Sequence, residues 1–457
     1  VMNFAWLNIK FYLFDILVVF WYTFYMIFTS TRNKKLSVSF AEAIRNCMPS
    51  DGGLYVPSQT EDLRRWILYM DENTSFSSIA GSLTSAFIRE EFSPIICETI
   101  ATRAFKFSPE LKQLDENLFM LELFHGPTGY HKDFGIAFLV SCLETISELQ
   151  GGKSVFLDVT EGPLGNILAK QIRGKKYVKS ILLYPKGCIK GLEEEDFVWN
   201  GGNILPIEVD GTVEDCHELS RAIFSDRDFA LENKLTVANS ANIGCLLPKA
   251  LLYPYAFSRI KNKVYSDIVY ALEPGNYNNI VAGLYSWQFA LPLNGFVLPS
   301  SDSVSIDMNG NPIFFDSLIP LKDRIPANPS EPSNLERLEE VFSANEFMMK
   351  HFIHHEKISS KDIENARKEL FAKYKIYADY STSKAFAASQ KYTENSDGEE
   401  NAVVLVAKDD PLFSSECKCD SSVDIVAKMN KTVDIKQKAI KSVEELKTLI
   451  ESIHKYF

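Results

Sequence analysis

Apolar and polar positions change their rhythm several times along this chain, and each change predicts an element. Residues 11–28 have no rhythm at all: they are almost wholly apolar, interrupted mainly by Asp15 and Thr23. After Lys35 the pattern becomes that of a water-soluble protein. Residues 39–45 read as a helix start, 49–53 as a turn, and a mostly helical stretch follows to about Leu111. Phe134, Phe138, Leu139, Cys142, Leu143, Ile146 and Leu149 then recur at helical spacing. Short apolar runs at 154–159, 178–184, 204–209, 267–272 and 402–407, together with Val297 and Leu298, predict buried strands. Between them, 167–172 is helical, 273–279 is a polar loop containing glycine, and a helix begins at Ile280. Residues 326–332 and 393–400 read as loops, and 423–457 as an amphipathic helical tail. Strands interleaved with helices predict an α/β fold with a largely parallel sheet.

Length and charge narrow this picture. At 457 residues the chain exceeds what one core usually supports, so two or more packed units are expected. A net charge of -12 argues against nucleic acid, whose binders need basic surface. It leaves room for a small phosphorylated substrate, which needs only a local pocket of donors. Eight cysteines over this length are not a disulfide framework, and a reducing, cytoplasmic compartment is expected. Cys417 and Cys419 are the only close pair; nothing at zinc-binding spacing accompanies them, so no metal site is expected.

The apolar start has two readings. It is close to the roughly 20 residues a membrane helix needs, which suggests an anchor. Against this, residue 1 is Val, and Asp15 near mid-span would cost about 2.5–3.5 kcal/mol on insertion scales. The favoured expectation is that residues 1–25 are an upstream extension of the gene model, with Met26 as the start and no membrane partner.

Residues 121–139, LELFHGPTGYHKDFGIAFL, carry the chemistry. Lys132 stands at the end of a Gly/Pro/Thr loop, immediately before an apolar helix. A lysine at a helix start is ordinarily solvated. Here Phe124, Tyr130 and Phe134 could surround the amine, desolvate it and make it a nucleophile.

The HGPT of residues 125–128, followed by HKDFG, resembles the HGPT-x-x-FKDFG segment of threonine synthases, a family of fold-type II pyridoxal-phosphate enzymes. Further segments match in the same order. They are residues 28–33 (FTSTRN), 51–57 (DGGLYVP), 184–187 (YPKG), 211–216 (GTVEDC), 239–244 (NSANIG) and 333–337 (SNLER). The resemblance implies parallel-sheet α/β domains with helices on both faces, plus an N-terminal domain of the threonine synthase type. It divides the chain into the extension 1–25, the N-terminal domain 26–110, and a cofactor-binding region 111–457 of two subdomains ending in a helical tail. It implies that Lys132 holds pyridoxal 5'-phosphate as a Schiff base. Gly275, Asn276, Tyr277, Asn278 and Asn279 then match a GNFGN-like loop that binds the cofactor phosphate through backbone N–H groups and a helix N-terminus. Asn278 stands in place of a glycine, so it is expected to take a left-handed backbone position. Lys408 falls where a threonine would face the pyridine nitrogen. The implied reaction converts O-phosphohomoserine and water to threonine and phosphate.

The substrate side departs from the family. Where SGDTG is expected, the chain has Glu161-Gly162-Pro163-Leu164-Gly165, and arginines of the family are replaced by Ala137 and Cys245. DPHTA becomes Asp379-Tyr380-Ser381-Thr382-Ser383. Substrate contacts are therefore expected from Gly162, Gly165, Asn239 and other donors such as Thr128, Asn166, Lys186 and Lys190. Two alternatives stand beside the leading one: a lyase acting on another phospho-amino acid, and a non-catalytic homologue that keeps the fold.

Overall fold

Three parallel or antiparallel sheets and a small hairpin organise the chain. The computed structural model describes residues 28–88, 91–187, 189–300, 304–306, 312–314, 319–343, 345–395, 401–413, 432–433, 435 and 438–457. The extension 1–25, the Cys417/Cys419 pair and the first part of the expected tail lie outside the described residues. Among those described, no helix is long and apolar enough to cross a membrane.

The N-terminal region opens with a three-stranded antiparallel sheet in which β1 (Phe28–Ser30) is flanked by β2 (Ser37–Val38) and β3 (Tyr55–Pro57). Helices Phe40–Asn46, Arg64–Tyr69, Phe76–Ile88 and Pro94–Ala104 follow, as the apolar spacing predicts. A six-stranded sheet comes next, built from β4 (Glu110–Asp115), β5 (Leu118–Glu122), β10 (Ile268–Ala271), β11 (Gly295–Pro299), β14 (Ile353–Glu356) and β15 (Ala402–Ala407). Its order is β14-β11-β10-β15-β5-β4, parallel throughout except for the edge pair β4–β5. A four-stranded parallel sheet takes β6 (Ser154–Val159), β7 (Val178–Pro185), β8 (Ile204–Val209) and β9 (Leu235–Thr236) in the order β8-β7-β6-β9. The hairpin pairs β12 (Val304–Ile306) with β13 (Pro312–Phe314).

Both parallel sheets are covered on two faces, and the period-two alternation of their strands shows how. Along β10, Tyr270 joins the large central core while Val269 and Ala271 pack with Ala366, Leu370 and Phe386 of helices Ser360–Tyr374 and Tyr380–Asn395. Along β6, Phe156 faces the central core, while Val155 and Leu157 meet Cys216 and Ile223 of helix Val213–Ser225 and Leu446 and Ile450 of helix Val443–Ser452. That last helix starts later than 423, the beginning expected from the sequence. Before it, Ile440 pairs with the β8 edge, accepting from Asp210 N (2.9 Å) and donating to Glu208 O (2.9 Å), and Ser442 then caps the helix. Helix Tyr380–Asn395 takes the first three positions of the loop expected at 393–400, and 396–400 lie outside the described residues.

Candidate active site

The loop between β5 and helix Lys132–Gln150 is held by a buried carboxylate. Asp133 accepts from Thr128 N (2.9 Å), Thr128 Oγ1 (2.8 Å) and Gln171 Nε2 (3.3 Å), which satisfies the loop that enters the helix. Gly126 is required for this packing: a Cβ there would lie 2.5 Å from Asp133 Oδ2. On the other side of Lys132, His131 N donates to Lys408 O (3.1 Å), and the His131 Nδ1 edge meets Asp409 Oδ1 at 2.8 Å. Burial pushes the His131 imidazole down to about 4, against the opposing pull of Asp409. The backbone on both sides of Lys132 is thereby fixed, and Lys132 stands exposed at the wall of a cavity.

The aromatic collar expected around this amine does not form as read. Phe134 is two residues along the helix, so its side chain points the other way. It packs among Phe76, Phe105 and Phe107 in the central core. Phe124 lies against the His125 ring instead, with centroids 4.9 Å apart.

The cavity encloses about 590 Å³. Its wall comes from five places where the chain leaves the carboxyl end of a parallel strand: Lys132 after β5, Asp158 to Glu161 with Pro163 and Leu164 at the end of β6, Val213 and His217 after β8, Ala238–Ser240 after β9, and Asn276 and Asn278 after β10. Ligands of open α/β sheets bind at such ends. Ser330 to Pro332, in the loop expected at 326–332, and the adjoining Ser333 complete the lining, with Asn239 Nδ2 donating to Pro329 O at 2.8 Å.

The phosphate-loop candidate differs in backbone detail from the expectation. Gly275 has φ +53°, and the second left-handed residue is Tyr277 (φ 64°), not Asn278. The reason lies in where the helix begins. Asn278 is its first residue (Asn278–Gln288), so the reversal must occur one position earlier. Asn276 braces the loop: its Nδ2 donates to Pro332 O (3.0 Å) and Ser240 Oγ (3.2 Å), and its carbonyl accepts from Asn334 N (3.1 Å).

Behind the loops lies the fully buried Arg337. Its guanidinium donates to Tyr55 O (3.0 Å), Ala241 O (2.9 Å), Asn334 Oδ1 (2.7 Å) and Ser240 O. Its neighbour Glu336 receives Arg32 Nη2 (2.6 Å) and Thr31 Oγ1 (2.7 Å). Three sequence segments singled out by resemblance, FTSTRN, NSANIG and SNLER, thus meet in one network behind the cavity, and Asn239, Ser240 and Ser333 of the last two also line it.

Lys132, Asn276, Asn278 and Asn239 stand together on the cavity wall. Gly275, Tyr277 and Asn279 belong to the same loop but not to the lining. Thr128 lies off the wall with its hydroxyl donated to Asp133. Gly162 and Gly165 direct their N–H groups to Thr160 Oγ1 (both 3.1 Å), and Asn166 follows them in the helix, off the wall. Lys408 is also off the wall, its ammonium paired with Glu273 at 2.6 Å. Lys186 pairs with Asp210 at 3.4 Å. The replacements Glu161, Pro163, Leu164 and Cys245 all line the cavity, whereas Asp379 caps helix Tyr380–Asn395 by accepting from Thr382 N (2.9 Å).

Two buried charges on the wall carry no motif in the sequence. Asp158, 1% exposed, accepts from Ala238 N (2.9 Å) and is pushed up to about 7 by burial. Lys249, 5% exposed, donates to Asn278 Oδ1 (2.9 Å) and Asn279 Oδ1 (3.4 Å). Each is a lone charge inside an apolar run, VFLDV and LLPKALL, and that break in the run is the signal that marks them. Among the described residues one group has metal-ligand geometry, Glu110, Glu122 and His125. Glu122 is already bonded to Lys112 (2.7 Å) and His125 (2.8 Å).

Comparison with known proteins joins these observations. Residues 27–105 match the family model described as threonine synthase N terminus. The threonine synthase of Buchnera aphidicola subsp. Acyrthosiphon pisum is 31% identical over 346 residues, 74% of this chain and 79% of that protein. The Escherichia coli K12 threonine synthase is 29% identical over 321 residues, 68% of this chain and 73% of its own. The fold is similar to that of the E. coli threonine synthase crystal structure, with a TM-score of 0.70 at 23% identity over 93% of this chain and 100% of that one. It is equally similar to a PLP-bound threonine synthase from Brucella melitensis, with a TM-score of 0.72 at 18% identity over 94% and 99%. On the extent and identity of these matches, the chain belongs to the threonine synthase family.

Proposed function

We propose that this protein is a pyridoxal-phosphate-dependent lyase that converts O-phosphohomoserine and water to threonine and phosphate. The observation that carries the reading is that the Lys132 side chain and the Asn276 and Asn278 side chains, some 145 positions apart, line one cavity. The donor set fits the cofactor. An amine stands at one end, and at the other a helix N-terminus with a buried ammonium beside it suits a phosphate. Lys132 would hold the cofactor through its ε-amine, and the loop 275–279 would hold its phosphate. When bound, this cofactor withdraws electron density from the substrate α-carbon.

The remaining work falls to the chain's own residues. The Lys132 amine takes the proton from the α-carbon and carries protons onward to the neighbouring carbon, as a mobile general base and acid. Its fixed backbone, set by Asp133 and His131, keeps that amine in reach of both carbons. Residues 330–333 close one side against bulk water. Residues 26–110 act as the N-terminal domain and 111–457 as the cofactor region. Among the described residues, five buried cysteines with free thiols fit an enzyme of the cytoplasm.

One observation favours a second reading, a lyase for a different phospho-amino acid. Glu161, Pro163, Leu164 and Cys245 form cavity wall, so the altered chemistry faces the substrate. Pyridoxal-phosphate titration followed by a phosphate-release assay decides. We expect a visible absorption band that Lys132→Ala abolishes, and phosphate released from O-phosphohomoserine with threonine as co-product. Phosphate released only from O-phosphothreonine or O-phosphoserine selects the second reading. A band with no release from any of the three overturns both.

A further inference from the structure

Lys249 is a cation in a place where cations are costly. It is 5% exposed, in an apolar segment, and among the described residues its ammonium meets only the neutral amide oxygens of Asn278 (2.9 Å) and Asn279 (3.4 Å). Among the described residues no carboxylate lies within ion-pair distance of it. The other charges that bear on it are already matched or repel it: Lys408 pairs with Glu273, Asp409 faces His131, and Lys132 is a second amine. Cys245 contributes only a buried thiol, which desolvation keeps protonated. A buried ammonium without a counter-ion is strongly disfavoured unless an anion joins it.

The opposite side of the ammonium says which anion. Asn278 and Asn279 open an eleven-residue helix, Asn278–Gln288, whose first-turn N–H groups have no intrahelical acceptor. Asn278 N reaches only Asn276 Oδ1, at 3.4 Å. Lys249 and Asn278 both line the cavity. A positive helix end and a buried ammonium therefore converge on one cavity wall, the combination suited to a compact dianion.

We propose that Lys249 is the cationic partner of a phosphate monoester bound at the start of helix Asn278–Gln288. The inference rests on the reading of this cavity as a cofactor and substrate site, and the monoester is that of the cofactor or of the substrate. Binding recharges the amine: burial holds it down at about 7 in the free protein, so a bound dianion draws in a proton at pH 8.

The test is calorimetric titration of inorganic phosphate into the full chain at pH 8, in two buffers of different ionisation enthalpy. Wild type and Lys132→Ala should bind phosphate with net proton uptake. Lys249→Met should weaken binding roughly tenfold or more and lose the uptake, and Lys249→Arg should retain binding. Equal phosphate affinity in wild type and folded Lys249→Met overturns the inference. Should Lys249→Met fail to fold, binding by wild type without proton uptake overturns it as well. The source is separated by two ratios, pyridoxal phosphate against pyridoxal and O-phosphohomoserine against homoserine. Whichever preference Lys249→Met erases names the monoester, and retention of both preferences overturns the inference. Phosphate binding that depends on Lys249, in a chain where Lys132 never forms the visible band, would sink the functional reading alone.

Discussion

Asp158 and Lys249 are buried charges of opposite sign on one cavity wall, and they predict opposite stability profiles. The Asp158 carboxyl is raised from 3.8 to about 7. Between those values the folded chain keeps a proton that the unfolded chain has released, so its contribution to stability is full below pH 4 and is lost as pH rises through 7. Asp158→Asn should therefore be more stable than wild type at pH 8, with the gain vanishing near pH 4. Lys249 is lowered from 10.5 to about 7 by burial. Here the unfolded chain holds the extra proton, so stability rises with pH between 7 and 10.5. Lys249→Met should gain stability at pH 6 and lose that advantage near pH 10. Urea midpoints at the two pH extremes check each case. Lys132 stands in a context that marks it in the sequence: a loop, a helix start and a set of ordered segments. Asp158 and Lys249 have no such context, and only folding brings their apolar runs to the cavity. Cys245, where the resemblance expects an arginine, and Lys249, four residues later, both line the cavity.

Among the elements, the loop that enters helix Lys132–Gln150 is the most constrained. Gly126→Ala would press a methyl group against Asp133 and break the bonds from Thr128. A loss of about 1–3 kcal/mol in unfolding free energy is expected, along with weaker pyridoxal-phosphate uptake in an absorbance titration. The strands β6, β7, β8, β10 and β15 were legible because burial on both faces makes each a short continuous apolar run. Strands β1, β2 and β9 are two or three residues long, and β4 is largely exposed, so none carries a period that could announce it. The left-handed turn falls one residue before the position the sequence predicts, for a related reason. Composition marks Asn as the tolerant residue, but the helix start decides who must reverse, and it forces Tyr277, at a cost of roughly 1–2 kcal/mol.

At the scale of the whole molecule, the N-terminal sheet is fastened to the cavity from behind. Arg32 and Glu336, each nearly buried, form a bidentate pair, and Arg337 beside them gathers carbonyls from β3 and from the loop after β9. Glu336→Ala leaves the Arg32 guanidinium without its partner and should cost about 3 kcal/mol, read from denaturant unfolding. It should also weaken cofactor uptake, because Asn334 and Arg337 of the same segment brace the loops that carry Asn276 and Ser240. This fastening was invisible as chemistry in the sequence. Its parts stand 300 residues apart, and resemblance alone linked them.

The segment after β6 holds its shape through Thr160, whose hydroxyl receives the N–H groups of Gly162 and Gly165. That support uses no side chain from positions 161, 163 or 164, although all three face the cavity. Specificity can therefore be rewritten there without disturbing the frame that carries it. A laboratory exchange of those three side chains would reshape the cavity wall while the core and the loop 275–279 stay as they are.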